Sequence, residues 1–243
     1  LLLRLPLHQP ERLAVAPQAE PSTRRLSRWS GDGWVLLRRK SGATSLATSG
    51  GSYGASQMGS VLRYRLSPDR RFDPAIYLRI STALAAPRDS ELAVGLAARP
   101  VAALPLTAMA ELRLNRSRTI HARPAIMLVT GLPPVRLPAS LQAEVYGEAG
   151  YVGGSYASAF VDGQVRLGHR IGARQSPVRF DAALGLWGGA QRGAARLDLG
   201  PSASVAFPLS DRGFGRLSAD WRFRMAGKAA PGSGPAITLS AGF

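Results

Sequence analysis

Apolar and polar residues alternate along most of the chain with a period of two, which is the period of a β-strand whose two faces meet different surroundings. In the segment 214–225, Leu217, Trp221 and Met225 share one parity, and the positions of the other parity are arginine, serine and aspartate. Similar alternation occurs in the segments 58–66, 75–84, 91–99, 104–114, 123–132, 141–151, 157–167, 178–187, 195–207 and 236–243. The pattern predicts that the chain consists mainly of strands.

One further, weaker strand is predicted over 34–41, where the parity is ambiguous because Arg38, Arg39 and Lys40 are consecutive. The total is about twelve strands, an even number such as bacterial single-chain barrels have. The 27 glycines and 18 prolines interrupt the intervals where a helical period would run, so we expect almost no helix. The sequence has no stretch of 18 or more apolar residues, so no transmembrane helix is predicted.

The connections between the predicted strands are of two alternating kinds. Turns that mostly contain proline and arginine are predicted at 67–74, 100–105, 133–140, 168–177 and 208–213. Segments richer in glycine, serine and alanine are predicted at 41–56, 85–90, 115–122, 152–156, 188–194 and 227–234. In a membrane barrel with the C-terminus on the periplasmic side, the first kind is periplasmic and the second extracellular.

Residues 1–30 form a Pro- and Arg-rich stretch without periodicity, and we interpret them as a linker or plug-like lead-in to a barrel formed by residues 31–243. The chain does not begin with methionine, and its opening leucines are too few for a signal peptide. We therefore expect a processed or truncated product whose targeting segment is missing.

The net charge of +16 is carried almost entirely by arginine, since Lys40 and Lys228 are the only lysines. The arginines are spread one or two at a time through nearly every apolar segment, whereas nucleic-acid-binding proteins concentrate basic residues on one face, helix or tail. We therefore predict no nucleic-acid partner. The absence of cysteine excludes a disulfide scaffold, a thiolate zinc site and a cysteine nucleophile.

The last nine residues, Pro-Ala-Ile-Thr-Leu-Ser-Ala-Gly-Phe, alternate apolar residues and close on Phe243. This segment resembles the C-terminal signature of Gram-negative outer-membrane β-barrels. The resemblance implies an all-β, antiparallel up-and-down transmembrane barrel in the outer membrane, surrounded by lipid and lipopolysaccharide. It also implies that Phe243 is an assembly signal for the barrel-assembly machinery. The strand number resembles that of acidic-oligosaccharide porins, outer-membrane phospholipase and autotransporter translocators, but no residue motif assigns the chain to one of them.

The apolar parity should face lipid in such a barrel, with aromatic residues near the two membrane interfaces. The residues assigned to this outer face include Tyr64, Phe180, Phe207 and Phe243 near the periplasmic side, Tyr151 near the extracellular side, and Leu199, Val205, Leu217 and Trp221 between them. The alternative is a soluble β-sandwich or lipocalin-like barrel, in which the same residues would be buried.

The polar parity then lines the lumen. Its members are Arg63, Arg65, Arg79, Arg99, Arg113, Arg123, Arg166, Arg179, Arg196, Arg216, Arg222 and Arg224, with Glu91, Glu111, Glu144, Glu148, Asp162, Asp181, Asp198 and Asp220. These side chains could neutralise one another across the barrel. Alternatively, the excess arginines are solvated in a water-filled lumen that prefers anions. Arginine does not lose its proton, so an unpaired arginine needs water or an anion around it.

Candidate catalytic and metal-binding groups are few. The histidines are His8 in the lead-in, His121 near Ser117 and Arg118 on a predicted extracellular loop, and His169 in a predicted periplasmic turn. His121 could pair with a serine as base and nucleophile, and this is the candidate catalytic arrangement. No spacing of histidines or carboxylates indicates a metal site, and no cofactor is predicted.

Three functions follow from these patterns. The first is a pore for small anionic solutes or acidic saccharides, and the second is a structural or anchoring barrel of a larger outer-membrane assembly, with a plugged lumen. The third is a lipid-modifying enzyme that uses the loop histidine. In addition, cations at the predicted extracellular ends are expected to bind lipopolysaccharide phosphates through Lys40, Arg88, Arg116, Arg118, Arg192 and Lys228.

Overall fold

The computed structural model describes residues 27–38, 55–67, 71–84, 90–116, 120–154, 157–172 and 176–243. Within these ranges the chain forms twelve long strands. They are β1 Trp29–Arg38, β2 Gln57–Arg65, β3 Ala75–Ala83, β4 Ser90–Ala98, β5 Leu106–Arg116, β6 Ile120–Thr130, β7 Leu141–Val152, β8 Ser158–Ile171, β9 Arg179–Gln191, β10 Ala194–Pro208, β11 Phe214–Gly227 and β12 Gly234–Gly242. Most of the predicted lead-in, residues 1–26, lies outside the described ranges.

The strands close into a barrel because the first pairs with the last. Strands β1 and β12 are antiparallel neighbours, with Asp32 opposite Gly242. The pairing continues beyond β12, where Phe243 N–H donates to Gly31 O at 3.0 Å and Gly31 N–H donates to Phe243 O at 3.2 Å. Closure gives each strand two strand neighbours, which is how a sheet satisfies its backbone hydrogen bonds in lipid. The prediction of an all-β, twelve-stranded antiparallel barrel is confirmed.

The seam between β6 and β7 is shorter than the others. Strand β6 pairs with β7 only from Ala125 to Val129. Further along, a two-residue strand, Val135–Arg136, pairs with the first part of β7, and a 3-10 turn, Pro138–Ser140, leads into β7. The sequence predicted a plain turn at 133–140, which contains these two short elements.

The connections lie at two opposite ends of the barrel. We call the end where β1 begins and β12 finishes the terminal end, and the opposite end the loop end. The five predicted turns of the Pro- and Arg-containing kind all join strands at the terminal end, and the other six join strands at the loop end. No helix in the described residues is long and apolar enough to cross a membrane.

The outside of the barrel is apolar, whereas its inside holds the buried charged residues beside a cluster of buried apolar ones, an arrangement unlike that of a soluble protein. Large apolar side chains are exposed, such as Ile126 at 62% and Leu184 at 53%, whereas Arg79 and Arg113 are each 1% exposed. A soluble barrel would bury the apolar parity, so that alternative is wrong. The exposed apolar wall requires lipid, and closed barrels of this kind span the bacterial outer membrane. The chain is therefore an outer-membrane barrel.

Aromatic side chains lie at the edges of this apolar wall. Trp29, Phe180 and Phe243 are exposed at the terminal end, and Tyr151 is exposed at the loop end. The Trp29 ring lies 4.8 Å from the Tyr64 ring, centre to centre. These positions confirm the predicted outer-face assignment and form interfacial girdles of the kind that membrane barrels have.

Candidate functional site: the charged interior

Strand register brings the charged residues of neighbouring strands side by side, because directly opposite residues share a face of the sheet. Glu144 lies opposite Arg166, and Asp181 lies opposite Arg170. Of the predicted lumen residues, those that are buried are Arg79, Arg113, Arg166, Arg196, Arg216, Arg222, Glu91, Glu111, Glu148, Asp162, Asp198 and Asp220. Those that are half-buried are Arg63, Arg65, Arg99, Arg123, Arg179, Glu144 and Asp181.

The most enclosed group, which we call the Glu111 cluster, consists of Tyr77, Arg79, Glu91, Glu111 and Arg113. Arg79 Nη2 donates to Glu91 Oε1 and to Glu111 Oε1, each at 2.7 Å. Arg113 Nε also donates to Glu111 Oε1, and Tyr77 OH donates to Glu111 Oε2 at 2.7 Å. The two arginines and two glutamates have side chains that are 0–4% exposed. Their formal charges cancel, so the cluster is a neutral, water-excluded network.

Gly95 leaves space for the tyrosine of this network, and Phe160 packs against one of its arginines. Gly95 lies opposite Tyr77 in the β3–β4 register. A Cβ atom at Gly95 would lie 2.7 Å from Tyr77 Cζ, so a side chain at Gly95 would displace the tyrosine that holds Glu111. On the other side, Arg113 Cζ lies 5.5 Å from the centre of the Phe160 ring, where a cation–π contact is favourable.

At the loop end, Arg38, Arg196 and Asp198 form a second group, the Asp198 cluster. Arg196 Nε lies 2.7 Å from both carboxylate oxygens of Asp198, and Arg38 Nη1 donates to Asp198 Oδ2 at 3.1 Å. Arg196 also donates to the carbonyl oxygens of Ala229 and Gly232, each at 3.1 Å. The connection between β11 and β12 is thereby drawn into the mouth of the barrel, where Ala229 is buried.

The neighbouring wall is filled by Trp187, Asp220 and Arg222. Arg222 Nη2 donates to Asp220 Oδ2 at 2.9 Å, and Arg222 Cζ lies 4.3 Å from the centre of the Trp187 ring. A Cβ atom at Gly185 would lie 2.2 Å from that ring, so only glycine leaves space for it. The ring and the guanidinium together fill part of the interior next to the Asp198 cluster.

Nearer the terminal end, two arginines share one carboxylate. Glu144 Oε2 accepts from Arg166 Nη1 at 3.3 Å and from Arg216 Nη1 at 2.9 Å. The arginines also donate to serine hydroxyls, Arg166 to Ser202 at 2.9 Å and Arg216 to Ser204 at 3.0 Å. Glu144 therefore accepts from two guanidinium groups at once, and the serine hydroxyls bind the same two arginines.

A cavity of about 320 Å³ lies on the terminal-end side of these clusters. Its charged lining residues are Arg28, Arg63, Arg65, Arg99, Asp32, Asp73 and Glu144. Its other lining residues include Thr130, Leu132, Pro134, Val145 and Tyr146, which belong to both sides of the short β6–β7 seam. The cavity therefore combines a polar, arginine-rich part with a part that borders the short seam.

Some predicted lumen residues occupy the edges of the interior rather than its centre. Arg224 lies opposite Asp198 in the register, but its side chain is exposed at the loop end and donates to Ala229 O at 3.4 Å. Arg123 Nε donates to Gly153 O at 3.1 Å, also at the loop end. Arg179 and Asp181 lie at the start of β9, at the terminal end.

Four residues that the sequence analysis did not assign to the lumen take part in the charged contacts of the interior. Arg38 was left unassigned because its parity was ambiguous, although it is buried. Tyr77 and Trp187 are aromatic residues at inward positions, where the apolar-outward rule excludes them. Asp32 pairs with Arg63 near the terminal end. A strict two-residue count from Arg79 on β3 and from Asp181 on β9 would have found the two aromatic residues.

The candidate catalytic residues lie partly outside the described ranges. His169 is exposed on the outer face near the terminal end, and His8 lies outside the described residues. His121 lies opposite Asn115 in the β5–β6 register, but Ser117 and Arg118 fall outside the described ranges. No group of three or more histidine, aspartate or glutamate residues in the described part of the chain could hold a metal ion. The catalytic hypothesis stays untested.

Half of the six cations predicted to bind lipopolysaccharide lie outside the described ranges. Lys40, Arg88 and Arg118 are not described, and Arg116 is described only as part of the β5 backbone. Arg192 and Lys228 are exposed at the loop end, as predicted. Binding of lipopolysaccharide at this rim stays a prediction.

No protein-family model matches the sequence, and no curated protein matches it at a significant level. Solved structures with a similar fold are outer-membrane barrels of several kinds. The β domain of the Bordetella autotransporter BrkA is 13% identical, with 88% of this chain and 97% of that chain covered and a TM-score of 0.46. LpxR from Salmonella typhimurium is 10% identical, with 88% and 99% covered and a TM-score of 0.46. An outer membrane channel from Pseudomonas putida F1 is 10% identical, with 93% and 99% covered and a TM-score of 0.47.

Proposed function

We propose that this outer-membrane barrel is a structural or anchoring component of a larger envelope assembly, with an interior that is closed to solutes. The observation that carries this proposal is the set of buried side chains, many of them in paired clusters, between the terminal-end cavity and the loop end, which we call the buried layer. Each of the twelve strands contributes at least one buried residue to the interior. A solute would have to displace this layer in order to pass.

The layer is held by contacts that are expensive to break. The Glu111 and Asp198 clusters contain arginines and carboxylates with side chains at most 4% exposed. Separating such a pair leaves a charge without a partner in a dry interior, which costs about 3 to 5 kcal/mol. The layer therefore favours one closed state over a fluctuating pore.

This proposal also includes an orientation of the barrel in the outer membrane. Its longest connection, residues 39–56 between β1 and β2, is at the loop end. Outer-membrane barrels have long extracellular loops and short periplasmic turns, so the loop end faces outward and the terminal end faces the periplasm. Phe243 then lies at the periplasmic interface, where the barrel-assembly machinery would recognise it.

A pore for small anionic solutes or acidic saccharides is the second candidate. The observation in its favour is the terminal-end cavity, where Arg28, Arg63, Arg65 and Arg99 outnumber the three carboxylates. Such a cavity would attract anions, because a low-dielectric wall strengthens the field of the arginines. Passage through the barrel would still require the buried layer to open.

Conductance across a planar lipid bilayer tests the proposal. The protein should give no steady conductance, although it inserts. Insertion is checked separately by flotation with vesicles and by the shift in electrophoretic mobility on heating. Steady conductance would refute the closed interior, and anion-selective reversal potentials under a salt gradient would then support the pore. A partner that co-purifies from native membranes in the absence of conductance would support the anchoring role.

A further inference from the structure

The terminal-end cavity is formed by residues at the ends of the strands. Arg28 precedes β1, Arg99 follows β4, and Phe214 is the first residue of β11. Ser30 and Thr107 lie near the starts of β1 and β5. These positions all belong to the terminal end of the barrel, and the buried layer lies between them and the loop end. A ligand of this cavity would therefore enter and leave at the terminal end.

Two cations of the cavity are not paired with its carboxylates. The three carboxylates have arginine partners, in the pairs Asp32–Arg63, Asp73–Arg65 and Glu144–Arg216. Among the residues that the structure describes, neither Arg28 nor Arg99 has a carboxylate partner, and Arg28 donates to the neutral Tyr64 hydroxyl at 3.4 Å. Arginine keeps its proton, so these two guanidinium groups need water or an anion around them.

Other parts of the lining suit the uncharged portion of a small molecule. Met109, Val129 and Phe214 line the cavity together with Ala75 and Ala97. The volume of about 320 Å³ lies at the lower end of the range of about 300 to 1,000 Å³ that small-molecule sites have. A single inorganic ion would use the arginines but would leave the apolar part of this space without a ligand.

We propose that this cavity is a closed-ended binding site for one small phosphate monoester with an apolar body. A phosphate monoester carries about 1.5 to 2 negative charges at pH 7, which matches the two arginines without carboxylate partners. Each guanidinium group can bind phosphate oxygens with two parallel hydrogen bonds. The phosphate lies with Arg28 and Arg99, and the apolar body lies against Met109, Val129 and Phe214. Unlike the solute of a pore, this ligand is retained and leaves by the end at which it entered.

Phenyl phosphate is a suitable probe for isothermal titration calorimetry on the full chain in a non-ionic detergent. We expect one phenyl phosphate per barrel, weaker binding of inorganic phosphate and benzoate, and no saturable binding of benzyl alcohol, the uncharged analogue. Inorganic phosphate that bound as tightly as phenyl phosphate would refute a role for the apolar lining. Benzoate that bound as tightly would refute the assignment of a phosphate group.

The two arginines are tested together. Because charge-assisted hydrogen bonds are among the strong ones, Arg28→Ser/Arg99→Ser should bind phenyl phosphate about tenfold more weakly than the native protein. The matched control, Arg192→Ser/Arg212→Ser, removes the same charge from two exposed arginines that do not line the cavity, and it should bind as the native protein does. Unchanged binding in the first variant would refute the site. An equal loss in the control would mean that net charge, and not the cavity, attracts the anion.

The apolar part of the cavity is tested by Thr107→Phe. This change keeps every charge and takes space from the cavity at a half-buried position near the start of β5. It should weaken the binding of phenyl phosphate more than the binding of inorganic phosphate. Unchanged affinity for phenyl phosphate would refute occupancy of the cavity by the organic body. The heat-dependent mobility shift checks that each variant is folded.

Retention is separated from transport with vesicles that contain the protein in their membrane and alkaline phosphatase in their interior. Phenyl phosphate added outside should be hydrolysed no faster than with protein-free vesicles, although the protein binds it. Rapid hydrolysis would refute the closed end of the site and, with it, the closed interior of the barrel. Absence of both binding and hydrolysis would refute the site alone, and the closed interior proposed above would stand.

Discussion

Replacing Glu111 with glutamine should destabilise the barrel strongly. The change keeps the size of the side chain and removes one negative charge from a cluster in which Arg79 and Arg113 are each 1% exposed. Glu91 then remains as the carboxylate within salt-bridge distance of the two guanidinium groups, at 2.7 Å from Arg79 and 4.0 Å from Arg113. Arg113 loses its close carboxylate partner in a buried position, so we expect the free energy of unfolding to fall by about 3 to 5 kcal/mol.

A partly exposed ion pair in the terminal-end cavity provides the control. Asp73 binds Arg65 at 2.6 Å, a distance like those in the Glu111 cluster, but the two side chains are 28% and 26% exposed. Water and salt screen this pair, so Asp73→Asn should cost less than about 1 kcal/mol. The comparison separates the effect of burial from the effect of the ion pair itself.

Both variants can be measured by urea unfolding in phospholipid vesicles, followed by tryptophan fluorescence and electrophoretic mobility. A double variant, Glu111→Gln/Arg113→Met, restores neutrality and should lose less stability than the sum of the two single variants. Equal losses for Glu111→Gln and Asp73→Asn would refute the assignment of a dry interior. If the double variant lost as much stability as the two single variants together, or more, the charge-balance explanation would be refuted.

Three other changes test the wall and the assembly signal. Deletion of Phe243 removes the backbone pairing with Gly31 and the interfacial ring, so less heat-modifiable, membrane-inserted protein should accumulate, and a normal amount would contradict the assembly role. Leu184→Arg on the lipid-facing wall should cost about 2 to 4 kcal/mol in urea unfolding while Leu184→Phe is nearly neutral, and equal stability would contradict the face assignment. Gly95→Val should displace Tyr77 and broaden the unfolding transition or lower its midpoint, whereas an unchanged transition would show that the ring has room elsewhere.

The strands were predictable where lipid and lumen impose opposite demands on alternate residues. The segment 195–207 was predicted within one residue of β10, Ala194–Pro208. Strand β1 was predicted at 34–41 but spans Trp29–Arg38, because Trp34 and Leu36 point inward and are apolar like their outward neighbours. Where the residues on both faces are apolar, they do not alternate with polar ones, so the first and last residues of the strand cannot be predicted.

The partners of the charged residues could not be predicted from parity. Arg216 and Glu144 are 72 residues apart and meet across the barrel because of strand register and closure, which no local pattern encodes. The β11–β12 connection enters the barrel mouth because its carbonyl groups accept from Arg196, and glycine, serine and alanine in a loop give no sign of that. Parity placed the arginines inside but left their role as pore lining or packing undecided.

The interior separates buried charges from partly exposed ones along the axis of the barrel. The charges of the Glu111 and Asp198 clusters are paired and dry, so changing them should affect unfolding strongly. The cations that line the terminal-end cavity are half-buried or exposed, so changing them should affect unfolding little. Arg28→Ser/Arg99→Ser should therefore unfold at the native urea concentration, whereas Glu111→Gln should unfold at a lower one. If both variants unfolded at the same lowered urea concentration, the buried clusters and the cavity would form one coupled unit, and the arginine excess would serve packing alone.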